Sequence, residues 1–174
     1  ITNLLSCESI ITDYANLGKP CDVILFDFQR AYDKVCHKLL CEKIKSIGID
    51  GCYLKWFVDF LSDRWQYVNY DSSQSNIMPV PSGTIQGSAI GGILFCIFIN
   101  DLASVIKYCK KWLFIDDLKL VGDASTREAC TLIQLDLDAI CEWSERSLMP
   151  LSIPKCVALH YGPGSLNHKY SLLG

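Results

Sequence analysis

Two apolar runs, Trp112 to Ile115 and Leu118 to Val121, flank the adjacent acids Asp116 and Asp117, and this stretch restricts the fold more than any other. Short apolar runs suit buried strands and adjacent aspartates suit a turn. The pattern therefore predicts a tight β-hairpin with two acids at its tip. Only Lys119 interrupts the second run. Two like charges at the end of buried strands cost free energy unless a cation neutralises them, so the stretch fits a metal site. Taken alone, a polar surface turn is the simpler account, because Asp is common in turns.

The run Val23-Ile24-Leu25-Phe26 suits a central strand buried on both faces, and Asp27 ends it. A carboxylate there is either a helix cap or a site residue, and the residues alone leave both open. Leu4 to Leu17 predicts an amphipathic helix stopped at Gly18-Lys19-Pro20. Tyr32-Asp33 leads into a helix with Val35, Leu39, Leu40, Ile44 and Ile47 on one side and Gly48 as its left-handed stop. Tyr53 to Leu61 predicts a helix whose Trp56, Phe57 and Phe60 belong to the core, followed by a strand over Trp65 to Tyr70 and a polar loop to Asn76. Pro79 to Gly92 is rich in Pro and Gly and matches neither a P-loop nor a dinucleotide fingerprint. Ile90 to Leu102 predicts a helix buried between layers. Ser125-Thr126-Arg127-Glu128 has the form of a capping box, opening a helix expected to bury Leu132, Leu135, Ile140 and Trp143. A last strand lies within Leu151 to Tyr161. This order predicts an α/β (α+β) fold with a small, partly antiparallel sheet and helices on one face.

A chain of 174 residues, half of them apolar, supports one domain with a real core. A net charge of -3 argues against a self-sufficient nucleic-acid binder, so any such role needs local basic patches or neighbouring domains. The ten cysteines show neither a CxxC pair nor zinc spacing, and most lie inside apolar patterns. They read as free thiols in a reducing, intracellular compartment, nucleus or cytoplasm. The longest apolar run, Ala89 to Ile99, is too short to span a bilayer, so no membrane partner is expected. Opening on Ile1 in mid-pattern and closing unmarked at Leu173-Gly174, the chain reads as a fragment of a longer polypeptide.

If the hairpin lies beside the first strand, Asp27 converges with Asp116 and Asp117. Carboxylates of this kind hold two divalent ions about 4 Å apart for in-line phosphoryl transfer. Hard oxygen donors with no His or Cys favour Mg²⁺ over zinc, with Mn²⁺ as an alternative.

Four segments then resemble one family in order and spacing. Val23 to Val35, reading VILFDFQRAYDKV, resembles the first catalytic motif of the reverse transcriptase domain of a non-LTR retrotransposon of the jockey-like kind. Ser82 to Ser88, with Phe95, Ile99, Asn100, Asp101 and Leu102, resembles its second motif. Phe114-Ile115-Asp116-Asp117 resembles the third, and Leu151 to Gly162 the fourth. The resemblance covers nearly the whole chain. It implies a right-hand polymerase palm with part of the fingers over residues 1–174, with most of the fingers and the thumb outside the fragment. Asp27 and Asp116 would ligate both ions, Asp117 would be an accessory ligand, and Phe28 would lend its carbonyl. Gln29 and Arg30 would hold the triphosphate by backbone amides. Tyr32 would be the steric gate beneath the sugar, and Gln86 and Gly87 would line the nucleotide and template pocket. Lys155 is a candidate general acid for pyrophosphate, against the alternative of a surface lysine on an edge strand. RNA template, DNA primer and dNTP would be its partners, beside the flanking subdomains of the same polypeptide.

The chain departs from the family at Ile115, where Ala is usual, at Ile85 and Gly92, where Pro is expected, and at Cys36, where Asp is common. None of these removes a ligand. Two other readings share the acids: a two-metal nuclease, which has no use for Tyr32 or the Gln86-Gly87 pocket, and a non-catalytic remnant of a decayed element.

Overall fold

The computed structural model describes residues 2–172. In chain order the elements are α1 (Thr2–Asn16), β1 (Cys21–Phe26), α2 (His37–Ser46), α3 (Gly51–Leu61), β2 (Trp65–Gln66), β3 (Asn69–Tyr70), β4 (Ser73–Gln74) and β5 (Met78–Pro79). They continue with α4 (Gly91–Ile99), α5 (Leu102–Val105), β6 (Lys110–Phe114), β7 (Asp117–Asp123), α6 (Arg127–Arg146), a 3₁₀ turn (Ile153–Lys155) and β8 (Val157–Tyr161). The chain divides into two compact units, residues 1–29 with 99–174, and residues 30–98.

The first unit is built on a four-stranded sheet in the order β6-β7-β1-β8, every pair antiparallel. The expected mixed fold with a small antiparallel sheet is therefore present. The expected strand over Val23 to Phe26 is its centre, and Val23, Ile24 and Phe26 are all buried. Both faces of the sheet are covered, where helices had been expected on one. Antiparallel register puts Cys21, Val23 and Val121 on one face, and there Cys7, Ile10, Ile11 and Tyr14 of α1 pack against them. On the opposite face lie Asp22, Ile24, Leu120 and Gly122, under α6. Gly122 is a notch for α6: a β-carbon there would stand 2.5 Å from Ile133 Cγ1. That contact helps choose the buried stripe of α6, which is Cys130, Ile133, Leu137, Ile140 and Cys141 with Trp143. Leu132 and Leu135, expected inside, are exposed.

The capping box is shifted by one residue. Thr126 is the cap, its hydroxyl accepting the Ala129 N–H at 3.1 Å. The strand expected within Leu151 to Tyr161 begins only at Val157, after the 3₁₀ turn, and forms an exposed sheet edge.

The second unit is held by α2, α3 and α4 with two small two-stranded ribbons, β2 with β5 and β3 with β4. The single strand expected over Trp65 to Tyr70 is split between these ribbons. Trp56 is 53% exposed and not core, while Leu61 closes α3 inside. Of the apolar stretch from Ile90, Gly91, Leu94, Phe95, Phe98 and Ile99 are buried in α4, and Ile93 and Cys96 are exposed. Gly48 adopts the expected left-handed conformation after α2, at φ 90°. Among the described residues no helix is long and apolar enough to cross a membrane.

Candidate active site

The hairpin forms as its sequence predicts, with one refinement. Phe114 pairs with Asp117, so the turn itself is Ile115-Asp116, and Asp117 is the first residue of β7. Ile115 has φ 57°, while Asp116 does not share that left-handed conformation. A two-residue hairpin that needs a positive φ at its first position normally places Gly there. A β-branched residue in that region is an outlier costing about 1–2 kcal/mol. Backbone strain of this kind persists where the surrounding structure enforces it.

β1 runs antiparallel to β7 with Phe26 opposite Leu118. The ladder ends there, with Asp27 following β1, Asp117 opening β7 and Asp116 in the turn before it. Asp27 and Asp116 are half-buried and Asp117 is exposed. The acids thus come from the end of one strand and the tip of the next. Among the described residues no group of three or more His, Cys, Asp or Glu is close enough to hold a metal ion.

Beyond β1, the segment Asp27 to Gln29 is tied to residues 150–152. Ser152 N–H donates to the Asp27 carbonyl at 2.7 Å, and Gln29 N–H donates to Pro150 O at 2.8 Å. Phe28 bridges to Leu151 between these two bonds. In that pattern the N–H and carbonyl of Phe28 point away from residues 150–152. The Phe28 side chain is buried edge-on to Trp143, with ring centroids 6.1 Å apart. Gln29 departs from its expected role. Its amide is already donated to Pro150, and its side-chain Nε2 donates to Leu151 O at 2.8 Å. Gln29 therefore fastens the acid-bearing segment rather than offering a free amide to a triphosphate.

Lys155 Nζ stands 3.5 Å from Asp27 Oδ1. With 69% of the lysine side chain and 38% of the aspartate exposed, the pair adds little stability, yet it sets a cation beside the carboxylate. Cys156 Sγ lies 4.0 Å from the Asp27 carbonyl, and burial pushes its thiol above the usual range.

The remaining predicted residues belong to the second unit. Arg30 begins the turn after Gln29 in the left-handed region, at φ 48°. Tyr32 is half-buried and stacks on Phe95, centroids 4.4 Å apart and planes 13° off parallel. The Tyr32 segment is fastened to the loop before α4: Thr84 N–H donates to Tyr32 O at 2.9 Å and Gly83 N–H to Val35 O at 2.8 Å. A β-carbon on Gly83 would sit 3.0 Å from the Asp33 backbone, so this close approach requires glycine. Gln86 and Gly87 follow on an exposed turn, with Gly87 at φ 81°. Thr84 Oγ1 is buried without a hydrogen-bond partner.

One residue that supports the site was missed in the sequence. Asp136 of α6 is 1% exposed and accepts the N–H groups of Lys107, Tyr108 and Cys109 at 2.7–2.9 Å. It fixes the backbone that enters β6 and hence the hairpin. Its signal was an acid inside the apolar stripe Ile133, Leu137, Ile140.

Comparison with known proteins agrees with this geometry. The family signature for "Reverse transcriptase (RNA-dependent DNA polymerase)" matches residues 2–174. The RNA-directed DNA polymerase from mobile element jockey of Drosophila melanogaster is 30% identical over 138 residues, covering 75% of this chain and 15% of the relative. The Pol polyprotein from type-1 retrotransposable element R2 of Popillia japonica is 23% identical over 171 residues, 91% of this chain and 27% of the relative. The chain thus spans well under a third of either relative's length. Among solved structures, apo telomerase from Candida tropicalis aligns with a TM-score of 0.68 at 14% identity, over 95% of this chain and 34% of that one. The same telomerase with a TWJ fragment of telomeric RNA gives 0.67 at 12% identity, over 97% of this chain and 30% of that one. These likenesses establish the fold, and the sequence match settles the family: the chain belongs to the reverse transcriptases, and the relatives it matches are polymerases of non-LTR retrotransposons.

Proposed function

We propose that this chain is the palm, with part of the fingers, of an RNA-directed DNA polymerase that adds nucleotides from dNTP to a primer 3′-hydroxyl on an RNA template. The observation that supports this reading is the pairing of β1 with β7, which ends at Phe26 opposite Leu118, one residue short of Asp27 on one strand and of Asp117 on the other, in a reverse transcriptase chain. The matched relatives are several times longer, so flanking subdomains of the same polypeptide complete the enzyme, and residues 1–174 alone are expected to be inactive or nearly so.

The donor set suits magnesium. Asp27, Asp116 and Asp117 offer only hard oxygens, and the Lys155 ammonium beside Asp27 marks a place where positive charge is already favoured. Asp27 and Asp116 would hold two Mg²⁺ ions, or Mn²⁺ in their place, with Asp117 accessory and the Phe28 carbonyl as a further oxygen. When bound, such ions stabilise charge on the attacking and leaving oxygens of an in-line displacement. Lys155 protonates the leaving pyrophosphate from the same edge. Gln29 holds Asp27 in place through residues 150 and 151, which leaves Arg30 as the triphosphate contact on this segment. Tyr32, braced face to face on Phe95, presents a fixed ring edge that rejects a 2′-hydroxyl, and Gln86 with Gly87 lines the nucleotide and template pocket. Work on an RNA template, with ten cysteines that show neither a CxxC pair nor zinc spacing, supports an intracellular, reducing setting.

The test is extension of an RNA-templated DNA primer by the full polypeptide carrying this domain, with and without Mg²⁺, against its Asp116→Asn variant. Metal-dependent extension lost in the variant is expected. A primer that is shortened indicates a nuclease, and one left untouched by both proteins indicates a non-catalytic remnant.

A further inference from the structure

In the first unit, at the end of the sheet away from Asp27, the start of α6 and residues 166–169 line a cavity of about 440 Å³. Arg127, Thr131, Asn167, His168 and Lys169 supply its polar lining, and Leu166 supplies an apolar wall. No carboxylate lines it, in a chain where Asp and Glu outnumber Lys and Arg 19 to 16. Acids on the adjoining elements have partners of their own. Buried Asp22 takes His160 Nδ1 at 2.7 Å and the Tyr170 hydroxyl at 2.6 Å. Asp123 accepts the Ser125 N–H, Asp138 accepts Gln134, and Glu128 is turned onto the opening of its own helix. The first-turn amides of α6 are thus partly used by Thr126 and Glu128, and the positive potential of the cavity comes from side chains.

The wall formed by residues 166–169 is held in place. Ser171 N–H donates to Gln134 Oε1 at 3.0 Å, and Gln134 Nε2 returns a bond to Ser171 O at 2.9 Å. Tyr170 is bonded to Asp22 and lies edge-on to His168, with centroids 4.9 Å apart. Cationic side chains on a fixed backbone lose less entropy on binding than those on a loose one. The volume falls in the range of small-ligand sites and exceeds what a lone phosphate fills. An apolar wall beside an aromatic ring and paired cations matches a base and its phosphodiester.

We propose that this cavity binds one nucleotide unit of a single-stranded nucleic acid, with the phosphodiester against Arg127 and Lys169 and the base against Leu166 and His168. The proposal rests on the polymerase reading, and it places a second strand contact remote from the acids. It is tested by fluorescence anisotropy of a labelled RNA of about 12 nucleotides, within the span of single-strand sites, across a salt series. The wild-type chain is compared with Arg127→Ala/Lys169→Ala, with the charge-preserving Arg127→Lys/Lys169→Arg, and with Lys38→Ala/Lys45→Ala, which removes equal charge from α2. Circular dichroism confirms that each is folded. The first variant should lower the slope of log affinity against log salt by about 0.7, the value for one neutralised phosphate on a single strand. The charge-preserving pair should keep the slope, and the α2 pair should change it less. Undetectable wild-type binding, an unchanged slope, or an equal loss in the α2 pair overturns the proposal. Because binding is read without catalysis, these results stand apart from primer extension and its dependence on Asp116.

Discussion

Replacing Asp136 by Ala should destabilise the chain by about 3–5 kcal/mol, the range seen when one side of a buried charged network is removed. The carboxylate is 1% exposed and receives three backbone N–H groups at 2.8, 2.9 and 2.7 Å. A hydrogen bond to a charged group contributes about 1.5–3 kcal/mol, and a buried donor left alone costs about 1–3 kcal/mol. Three stranded donors set the upper bound higher, while relief of carboxylate burial and local relaxation bring it down. Asp136→Asn keeps one acceptor oxygen but turns an NH₂ toward an N–H, so about half the loss is expected. Urea unfolding followed by tryptophan fluorescence measures both, with constant m as the check that only stability changed. Cys109 supplies a local readout. Burial, with the Asp136 carboxylate beside it, raises its thiol pKa well above the usual range, so thiol reagents should reach it in Asp136→Asn before the chain unfolds globally. A loss under 1 kcal/mol for the Ala variant, or equal losses for Asn and Ala, would refute the argument.

Gly122→Ala should cost about 1–3 kcal/mol by overpacking against Ile133, whose Cγ1 and Cδ1 would lie 2.5 and 2.6 Å from the new carbon. In an Ile133→Ala background that cost should largely vanish, and a double-mutant cycle with additive losses would contradict the notch. Burial, then the neighbouring Asp22 and Asp123, pushes the Cys21 thiol up to about 11. The unfolded chain releases that proton near the ordinary value of 9, so stability should hold below pH 9 and fall as pH rises toward 11. Cys21→Ala should flatten this alkaline limb in urea midpoints, whereas a rise in stability across the interval opposes the assignment. At position 115 the usual order of residues should invert. Gly relieves the left-handed cost of about 1–2 kcal/mol and Ala does not, so thermal unfolding should find Ile115→Gly more stable than Ile115→Ala by about 1 kcal/mol.

Elements built on local pattern were legible in the sequence. The continuous run Val23 to Phe26 became the central strand, and the paired runs around Asp116 became a hairpin, because period and turn chemistry act within a few residues. What was not legible depends on partners far along the chain. In α6 two overlapping apolar stripes compete, Leu132 with Leu135 and Ile133 with Leu137. Burial of the second is decided across space, by the absence of a side chain at Gly122. Likewise the irregular α1 stripe of Cys7, Ile10, Ile11 and Tyr14 had no visible target until the sheet offered Val23 and Val121, and the sheet became covered on both faces. The residues Trp65 to Tyr70 read as one strand because composition carries no information on which ribbon each half joins.

The same division runs through the candidate site. Carboxylates announce themselves by type and position, so Asp27, Asp116 and Asp117 could be singled out before their strands were known to pair. Residues that act through backbone do not. Gln29 looked free to meet a triphosphate because its partners, the carbonyls of Pro150 and Leu151, lie more than a hundred positions away and carry no side-chain signature. Asp136 showed only as an acid inside an apolar stripe, and its role stayed hidden because what it recognises is three amide groups. These two tethers act on different segments: Gln29 holds the one that carries Asp27, and Asp136 holds the start of β6, which leads into the Ile115-Asp116 turn. Between them, the β1–β7 ladder runs to Phe26 opposite Leu118, and Ile115 takes the left-handed conformation at the turn that joins β6 to β7. A strained β-branched residue persists only where its surroundings outweigh its cost. The paired strands on either side of Ile115 supply that constraint: Phe114 is locked to Asp117 and Leu113 to Leu118, so the turn between them has only two residues in which to reverse the chain.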